Sequence, residues 1–595
     1  MRLGLTMRSL ALGALVGTTA ALLLTTPARA IEFEYGEFKG SVINTVSAGI
    51  QMRVAPRDCR FLGTANGGCY GMTPNADDNN KHFGQGDIVG APVKITNEIN
   101  VAWRNLGFYS RGTAFYDYIY DNNDLAKFGD TTSPTYGRIS TAAQRKAAMG
   151  AEVQDLFLRG QFDIGTQPLT VRIGQQTLNW GEALFTQNAI SIINPLDLQK
   201  FAVPGAELRD GLIPVPMAWV SYEIVEGLAI EGFYQTEFKK LRLSPTGTYF
   251  GGADVIEESN DSEGGVGFSD CRGISGLCLR QRANEDPGDS GNYGVKLNYY
   301  SEALNNTEFG LYLVRYSSRF PSLNYISDGT GTAAGSSSDG TGFIPGVVSQ
   351  TEYARGVKMV ALSYNTTLEG PGVAVNGEFS YKMDEPGGVY GTTTVLQALC
   401  QTTVDFASFC GGQTGSYFGL PSGVAAGKIP GFIRLNVARA NARLTKILFA
   451  GNPFVAATGA ESWTLISETS INYITDLPER GDLALTNQLD NNSGSNISPT
   501  KVSSYENILV LVSYPAAFGT PINLTPGMYY GMTIQGNSPT AAGTKPGFKA
   551  MNLSLKGEYQ QNLTATLNFA KQWGGGPDNV NADKDFVGLT VNYTF

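Results

Sequence analysis

The feature that most restricts the fold of this chain is a series of segments in which apolar and polar residues alternate. Each segment has about 10 to 17 residues and a period of two, the pattern of a strand whose two faces differ. The segments are 37–54, 93–106, 107–120, 151–163, 168–178, 215–225, 228–240, 291–300, 306–317, 357–366, 372–383, 431–447, 459–474, 502–514, 526–536, 548–559, 562–573 and 585–595. They predict about 18 antiparallel strands, and about 14 to 18 are compatible with the uncertainty of segment ends.

The connections between these segments alternate between long and short along most of the chain. Short turns stand at 106–107, 165–167 and 226–227, and long connections lie on either side of each. Long loops at one end, short turns at the other and an even strand number are typical of a bacterial outer-membrane β-barrel. Such a sheet must close, because lipid offers no partner to free backbone groups. The predicted fold class is therefore all-β, a transmembrane antiparallel barrel surrounded by outer-membrane lipid.

Both ends of the chain agree with this location. Residues 1–30 join Arg2 and Arg8 to an apolar stretch and end in Ala-Arg-Ala, which is the pattern of a secretory signal peptide. The mature protein would then be a single barrel domain at 31–595. The last ten residues alternate, and one face carries Val587, Leu589, Val591, Tyr593 and Phe595. A final strand of this kind, ending in phenylalanine, resembles the signal that the outer-membrane insertion machinery reads.

Composition excludes several classes of protein. Charged residues make up 16% of the chain, whereas ordinary soluble domains have about 25%. His82 is the single histidine, so histidine triads and multi-histidine metal sites cannot form, and no partner for it is evident in the sequence. The formal net charge of −10 argues against nucleic-acid binding, which depends on Lys and Arg neutralising phosphates. We expect neither catalysis nor a cofactor.

The six cysteines occur as three close pairs, and secretion would place them in an oxidising compartment. Proximity favours the disulfides Cys59–Cys69, Cys271–Cys278 and Cys400–Cys410. The spacings are longer than those of zinc sites, so we expect no metal at these residues. All three pairs fall in long connections, which would face outside. Acidic turns at Asp77-Asp78 and Asp286–Asp289 leave a bound Ca²⁺ open as an alternative to simple solvation.

The connection at 179–214 does not fit a simple porin. It carries many apolar residues, among them Ile190, Ile192 and Ile193, and a surface loop would not expose these freely. We therefore expect this segment to fold into the lumen, where its buried polar groups need partners. The candidate substrate or gate residues are Arg172, Gln176, Asn179, Trp180, Glu182, Asn194, Asp197, Glu207 and Arg209. Two interpretations stay open, a constriction or gate and a packing element of the barrel wall.

Three stretches of this region carry a resemblance to a known family. They are Arg-Ile-Gly-Gln-Gln-Thr-Leu-Asn-Trp-Gly-Glu at 172–182, Asn-Pro-Leu-Asp at 194–197 and Val-Pro-Gly-Ala-Glu-Leu-Arg at 203–209. They resemble a family of large proteobacterial outer-membrane proteins that is catalogued as a domain of unknown function. The likeness covers essentially the whole mature chain. Genes of this family often lie beside those of a LolB-like periplasmic or lipoprotein family and of RND-type pumps. The resemblance therefore implies a barrel that works with such partners, and movement of hydrophobic compounds between the outer membrane and the periplasm.

Two functions compete. The first is a transporter or conduit for a hydrophobic or amphipathic small molecule, favoured by the apolar in-folded segment and by inner aromatic residues such as Phe157 and Phe233. The second is a diffusion porin or substrate-specific channel for polar solutes, since rings of charge set selectivity. The inner charges that favour it are Arg159, Arg172, Glu231, Glu237 and Lys239. Ordinary salt bridges within the lumen explain most of these charges as well, and we favour the first function.

Overall fold

Eighteen strands close into one antiparallel barrel in the computed structural model of the protein. The structure describes residues 31–62, 68–69, 78–121, 141–186, 189–201, 203, 208–251, 266–267, 278–327, 343–389, 427–478, 485–486, 499–540, 543–576, 579 and 581–595. Each barrel strand pairs with its neighbours along the chain, and the last one returns to the first.

The barrel strands match the predicted segments one for one. They are β2 (Phe38–Arg53), β4 (Pro92–Trp103), β5 (Leu106–Asp117), β6 (Met149–Ile164), β7 (Gln167–Gln176), β8 (Val215–Val225), β9 (Leu228–Gln235), β12 (Tyr293–Ser301), β13 (Thr307–Tyr316), β16 (Val357–Leu368), β17 (Val373–Val389), β19 (Phe432–Phe449), β20 (Ser462–Ile474), β22 (Val502–Ser513), β23 (Ile522–Gln535), β24 (Lys549–Tyr559), β25 (Leu563–Trp573) and β26 (Phe586–Thr594). The prediction of about 18 strands is confirmed.

Shorter strands lie beside the barrel or above it. β1 (Ile31–Tyr35), β3 (Ile88–Gly90) and β21 (Leu485–Thr486) extend the wall at strand ends. Long connections form a separate sheet from β10 (Val266–Gly267), β11 (Cys278–Glu285), β14 (Ser322–Ser327), β15 (Phe343–Glu352) and β18 (Lys428–Ile429). Within it β11 and β15 run parallel. This second sheet therefore lies at the end of the barrel that carries the long connections.

The helices that the structure describes are short and stand in connections. They are α1 (Asp78–Lys81), α2 (Tyr118–Asp121), α3 (Thr141–Ala148), α4 (Leu198–Phe201) and α5 (Pro453–Thr458). Single 3₁₀ turns occupy Cys59–Phe61, Ile190–Ile193, Leu208–Gly211, Glu302–Leu304 and Ala517–Gly519. Over the same described ranges, none of the helices combines the length and the apolar character needed to cross a membrane.

Pairing between β2 and β26 closes the barrel. Nine residue pairs run in register from Thr45 opposite Thr594 to Arg53 opposite Phe586. The register continues past the last strand, because the backbones of Asn44 and Phe595 exchange two hydrogen bonds of 2.6 and 2.8 Å. Closure satisfies the edge groups of both terminal strands within the protein, as a lipid environment requires.

Side chains alternate between an apolar outer surface and a lumen with mixed lining. On β13, Leu311 and Leu313 are exposed on the outside, whereas Tyr312 and Val314 are buried on the inside. Leu158 of β6 is exposed on the outer surface, as its period-two position predicts. A closed antiparallel barrel with an even number of strands and an apolar outer band is typical of bacterial outer-membrane proteins, and the predicted location is confirmed.

Two sequence predictions fall partly or wholly outside the described residues. The signal peptide at 1–30 is one, and it stays a prediction. The disulfide Cys59–Cys69 forms, with an S–S distance of 1.98 Å. Cys271, Cys400, Cys410 and the side chain of Cys278 lie outside the described residues, so those two pairings also stay predictions.

Candidate substrate path and its in-folded segment

The connection from β7 to β8 enters the barrel, as the sequence predicts. We name its first part, residues 177–193, the crosspiece, and its described residues, 177–186 and 189–193, reach across the lumen. We name its second part, residues 194–214, the charged arm, and its described residues, 194–201, 203 and 208–214, lie along β4, β5 and β6. The two join at Asn194, whose amide group bonds both the backbone N–H and the carbonyl of Leu178, at 2.9 and 2.6 Å.

An apolar cluster fixes the start of the crosspiece to the wall. The Trp180 ring is 2% exposed and makes edge-to-face contacts with Phe233 and Tyr312, at centroid distances of 5.1 and 5.6 Å. Its Nε1–H donates to Glu231 at 2.8 Å. The apolar residues of the 3₁₀ turn Ile190–Ile193 belong to the same cluster. The apolar character of this segment is thus used in packing against β9, β13 and β16.

Two buried glutamates of the opposite wall hold the middle of the crosspiece. Glu378 of β17 accepts backbone N–H groups from Glu182, Ala183 and Ile190, at 2.8, 3.4 and 3.1 Å. Glu468 of β20 accepts those of Leu184, Phe185 and Thr186, at 2.7, 3.0 and 2.8 Å. Because the segment is neither helix nor strand here, its N–H groups need partners from elsewhere. Charge-assisted bonds of this kind contribute about 1.5–3 kcal/mol each.

The geometry shows that the crosspiece spans the lumen. β20 is nearly opposite β7 in the closed strand order, with seven strands between them on the shorter side. Phe185 extends as far as β23, where its ring lies 5.5 Å from that of Tyr529. The bend that starts the crossing is at Gly181, which has a φ of +93°; a Cβ there would lie 2.8 Å from the Glu378 carboxylate. Glycine is therefore required at this bend.

Ion pairs hold the charged arm. The Asp210 carboxylate accepts from Lys94 of β4 at 2.7 Å and also from Arg111 of β5. Arg209 pairs with Glu98 of β4 at 2.6 Å. At the other end of the arm, Lys200 pairs with Glu152 of β6. The arm is thus joined to the wall by charges, whereas the crosspiece is joined by backbone amides and packing.

A cavity of about 360 Å³ lies between the charged arm and the wall. Its apolar lining comes from Phe115, Met149, Val203, Leu241, Leu243 and Tyr353. Arg242 crosses its edge, with Glu152 at 2.7 Å and Asp197 at 3.2 Å. Burial raises the pKa of the Asp197 carboxyl, and Arg242 opposes that shift. The cavity therefore presents an apolar surface beside a set of paired charges.

The structure separates the predicted site residues into groups. Arg172 and Gln176 belong to the wall: the guanidinium of Arg172 lies 4.1 Å from the ring centroid of Trp219, and Gln176 donates to the Met217 carbonyl at 3.2 Å. Trp180 and Glu182 anchor the crosspiece. The Glu182 carboxylate accepts from Asn376 at 3.1 Å, and burial raises its pKa while that bond opposes the shift.

The remaining candidates follow the arm. Asn194 starts it, Asp197 faces the cavity, and Arg209 lies at its wall contact with the side chain 49% exposed. Asn179 is exposed. Glu207 lies outside the described residues. The candidates therefore line two different structures and do not converge on one binding point.

Sequence reasoning missed the residues that fix the segment. Glu378 and Glu468 stand at inward positions of their strands, opposite Asn441 and Arg443 of β19, and the period-two pattern does indicate that they face the lumen. The pattern cannot indicate which groups the two glutamates bind in the lumen. Glu237 and Lys239, predicted on an inner face, follow the end of β9 at Gln235 and pair with each other. The strand predicted at 228–240 is therefore shorter than predicted, and the pair formed by Glu237 and Lys239 is a salt bridge of the kind expected for most of these charges.

A second connection also lies inward, which the sequence did not indicate. His82 is buried, and its Nδ1 lies 2.9 Å from the carbonyl oxygen of Gly247, a partner that is not evident in the sequence. Burial lowers the pKa of His82 to about 3. The rings of Tyr249 and Phe250 continue this contact to Phe586 on the inner face of β26. The outer mouth is thus narrowed from more than one side.

Acidic groups of the outer connections are engaged by the protein. Asp286 lies 3.5 Å from the ammonium of Lys240, and Asp289 accepts the backbone N–H of Phe238 at 3.0 Å. Asp77 lies outside the described residues. Among the residues that the structure describes, no group of three or more histidine, cysteine, aspartate or glutamate side chains is placed to hold a metal ion.

A family model described as "Protein of unknown function (DUF1302)" matches residues 11–595. The chain belongs to this family. The DUF1302 match covers the whole barrel together with the in-folded segment, and the predicted family membership is confirmed. No curated protein matches the chain.

Solved structures that align with this DUF1302 barrel include porins. OccAB1 of Acinetobacter baumannii is 10% identical, with 94% of this chain and 97% of that one covered and a TM-score of 0.38. OccK1 (OpdK) of Pseudomonas aeruginosa is 10% identical over 93% and 98%, with a TM-score of 0.38. A BenF-like porin from Pseudomonas fluorescens Pf-5 is 10% identical over 93% and 98%, with a TM-score of 0.39. Likeness at this level says nothing of what the chain transports.

Proposed function

We propose that this protein is an outer-membrane conduit for hydrophobic or amphipathic small molecules, closed to free diffusion by its in-folded segment. The observation that carries the proposal is the crosspiece, which is anchored on both sides of the lumen by Trp180, Glu378 and Glu468. A segment fixed in this way narrows the lumen. Passage then requires either a route around the crosspiece or movement of the charged arm.

The cavity beside the charged arm supports the hydrophobic or amphipathic substrate class. Side chains such as Phe115, Leu241 and Leu243 face it, and apolar surface of this kind favours solutes that leave water readily. Small-molecule sites commonly combine apolar walls with a few fixed polar groups. The proposed route therefore enters from the outer mouth, passes this cavity and continues past the arm.

A substrate-specific porin for polar solutes is the second candidate. The cations Lys94, Arg111 and Arg209 follow one another along the inner wall and arm, which favours it, although each of them is paired with Asp210 or Glu98. Other inner charges bind neighbouring side chains, so they are not free to form a charged ring around a solute. Glu231 accepts from Trp180 at 2.8 Å, and Arg172 lies over Trp219.

We further propose that the protein passes its substrate to a LolB-like periplasmic or lipoprotein partner and an RND-type pump. A hydrophobic solute does not cross an aqueous compartment readily by itself, so a conduit for it needs an acceptor at the periplasmic end. Crosslinking of the short turns in whole cells, followed by mass spectrometry, tests this. Capture of neither class of partner would contradict the proposal.

Single-channel conductance of the purified protein in a planar bilayer tests the conduit. We expect silence or rare small openings, because the crosspiece obstructs the lumen. Deletion of 190–204 should raise the conductance several-fold, while heat-modifiable gel migration confirms that the barrel is folded. A large, steady and voltage-insensitive conductance of the unaltered protein would favour the polar porin instead.

A further inference from the structure

The cavity beside the charged arm has two unlike walls. Phe115 of β5, Leu241 and Leu243 give it an apolar surface. Lys146, in the last turn of α3, lies on its rim together with Lys200 and Arg242. An apolar surface next to a cationic rim is the arrangement that an amphipathic anion requires.

The pairing of charges around this cavity is uneven. Glu152 already holds Lys200 and Arg242, and Asp197 holds Arg242. Asp210 holds Lys94 and Arg111. Each of these carboxylates thus has at least one cation.

Lys146 differs from these cations. Across the residues that the structure describes, its ammonium group pairs with none of the carboxylates of the cavity. Its contact with the charged arm is through the backbone, since the Lys146 carbonyl accepts from Gln199 at 2.9 Å. The ammonium group is therefore available to a ligand.

We propose that this cavity binds an amphipathic monocarboxylate, with the carboxylate at Lys146 and the apolar body against Phe115, Leu241 and Leu243. The inference rests on the proposed conduit function and adds the class of substrate to it. Lys146 is exposed at the rim, so its ammonium group can meet the carboxylate while the apolar body enters the cavity.

The same charges disfavour other ligands. A cationic amphiphile would place its charge next to Lys146, Lys200 and Arg242. A dianion would bring its second charge close to Glu152 or Asp197, whose cations are already engaged. A neutral molecule would gain the apolar contact but not the ionic one, so it should bind more weakly than the monoanion.

Three probes with the same apolar body test the charge preference. They are 4-phenylbutyrate, 4-phenylbutan-1-ol and 4-phenylbutylamine, titrated into the refolded full-length barrel and followed by calorimetry. We expect phenylbutyrate to bind tighter than the alcohol by about tenfold, the size of a contact of about 1.4 kcal/mol. The amine should bind weakest. Equal affinity of the butyrate and the alcohol would overturn the proposal, and so would absence of binding by all three.

Two variants of α3 locate the contact. Lys146→Glu should reverse the order, so that the amine binds tighter than the butyrate. Arg145→Glu is the matched control, because it makes the same change of charge one residue away, at a position that is also exposed but lies outside the cavity lining. An equal loss of phenylbutyrate binding in both variants would show a general surface effect and would refute the site.

A third variant tests the apolar wall. Phe115→Ala should weaken all three probes by a similar factor and leave their order unchanged. Gel migration after heating verifies the fold of each variant. The conductance experiment stays independent of these titrations: a wide steady pore with phenylbutyrate bound as expected would refute the conduit and retain the site. A barrel that stays closed in the bilayer but binds phenylbutyrate no tighter than the alcohol would retain the conduit and refute the site.

Discussion

The two parts of the in-folded segment are held in physically different ways. The crosspiece packs Trp180 into an apolar cluster and gives its backbone N–H groups to Glu378 and Glu468. The charged arm is held by ion pairs such as Lys94–Asp210 and Arg209–Glu98. The amide bonds and the packing of the crosspiece require a particular backbone path. The ion pairs of the arm do not, because a charged side chain can pair with another opposite charge nearby.

This difference assigns separate roles to the two parts. A backbone bonded at six N–H positions to two glutamates cannot shift without losing all of those bonds together. The arm has exposed ion pairs, such as Arg209–Glu98 with a side chain 49% exposed, and such pairs break easily because each contributes about 1 kcal/mol or less. The pairs of Asp210 with Lys94 and Arg111 are buried. We therefore expect the crosspiece to stay in place and the arm to move, at its exposed pairs, during passage of a substrate.

The largest expected effect comes from removing both anchors of the crosspiece. Glu378→Ala combined with Glu468→Ala leaves at least six backbone N–H groups without their acceptors, and each such loss costs about 1–3 kcal/mol. The crosspiece should leave its position, and conductance should rise several-fold with the barrel still folded. Glu506→Ala, on the neighbouring strand β22 with its carboxylate bonded to Ser467 at 2.6 Å, is the matched control. Equal conductance in the two variants would contradict the role of the anchors.

Loss of the apolar anchor should have the next largest effect. Trp180→Ala removes a fully packed ring and its bond to Glu231, and truncations of this kind cost about 3–5 kcal/mol. Hydrogen exchange of the amides at 183–186 should accelerate strongly, while those of β24 and β25 keep their rates. Unchanged exchange in the crosspiece would mean that the glutamates alone fix it.

A smaller effect is expected from salt. Raising the ionic strength to 1 M shortens the Debye length to about 3 Å, which weakens the Arg209–Glu98 pair, because the Arg209 side chain is 49% exposed. Amide exchange at 208–212 should accelerate, whereas exchange at 183–186 should not. If both parts responded equally, the distinction between crosspiece and arm would not hold.

The smallest effect is expected from reduction of Cys59–Cys69. This disulfide closes a short loop outside the wall, while the barrel is stabilised by closure of the sheet. Heat-modifiable migration should stay the same in the presence of a reductant, and both parts of the in-folded segment should keep their exchange rates. Loss of the folded band on reduction would contradict this.

The wall of the barrel was predictable because its physics is local. Each strand needs one lipid-facing row, so period-two alternation at residues such as Leu311 and Leu313 appears directly in the sequence. Turn lengths then order the strands. The same argument does not predict how connections fold inward, because their contacts join distant parts of the chain. The contact of His82 with Gly247, for example, joins residues 165 positions apart.

The candidate site was predictable only in part, for a similar reason. The apolar content of 179–214 indicated a buried segment, and Trp180 is indeed buried. The groups that hold the segment in place are far away in the chain, since Glu378 and Glu468 are 196 and 284 residues from Glu182 and Leu184, respectively. No pattern near residue 180 contains those partners. Sequence reasoning therefore located the segment but not its attachment, and it did not find the cavity.

The closing contact between β2 and β26 also limits how a barrel of this kind can change in size. Thr45 and Thr594 are 549 positions apart in the chain, yet their hydroxyl oxygens lie 3.0 Å apart. A single added strand would bring the chain end to the wrong side of the membrane and separate these two residues. Circumference can therefore grow or shrink only by whole hairpins, whereas the long outer connections can lengthen freely without altering this seam.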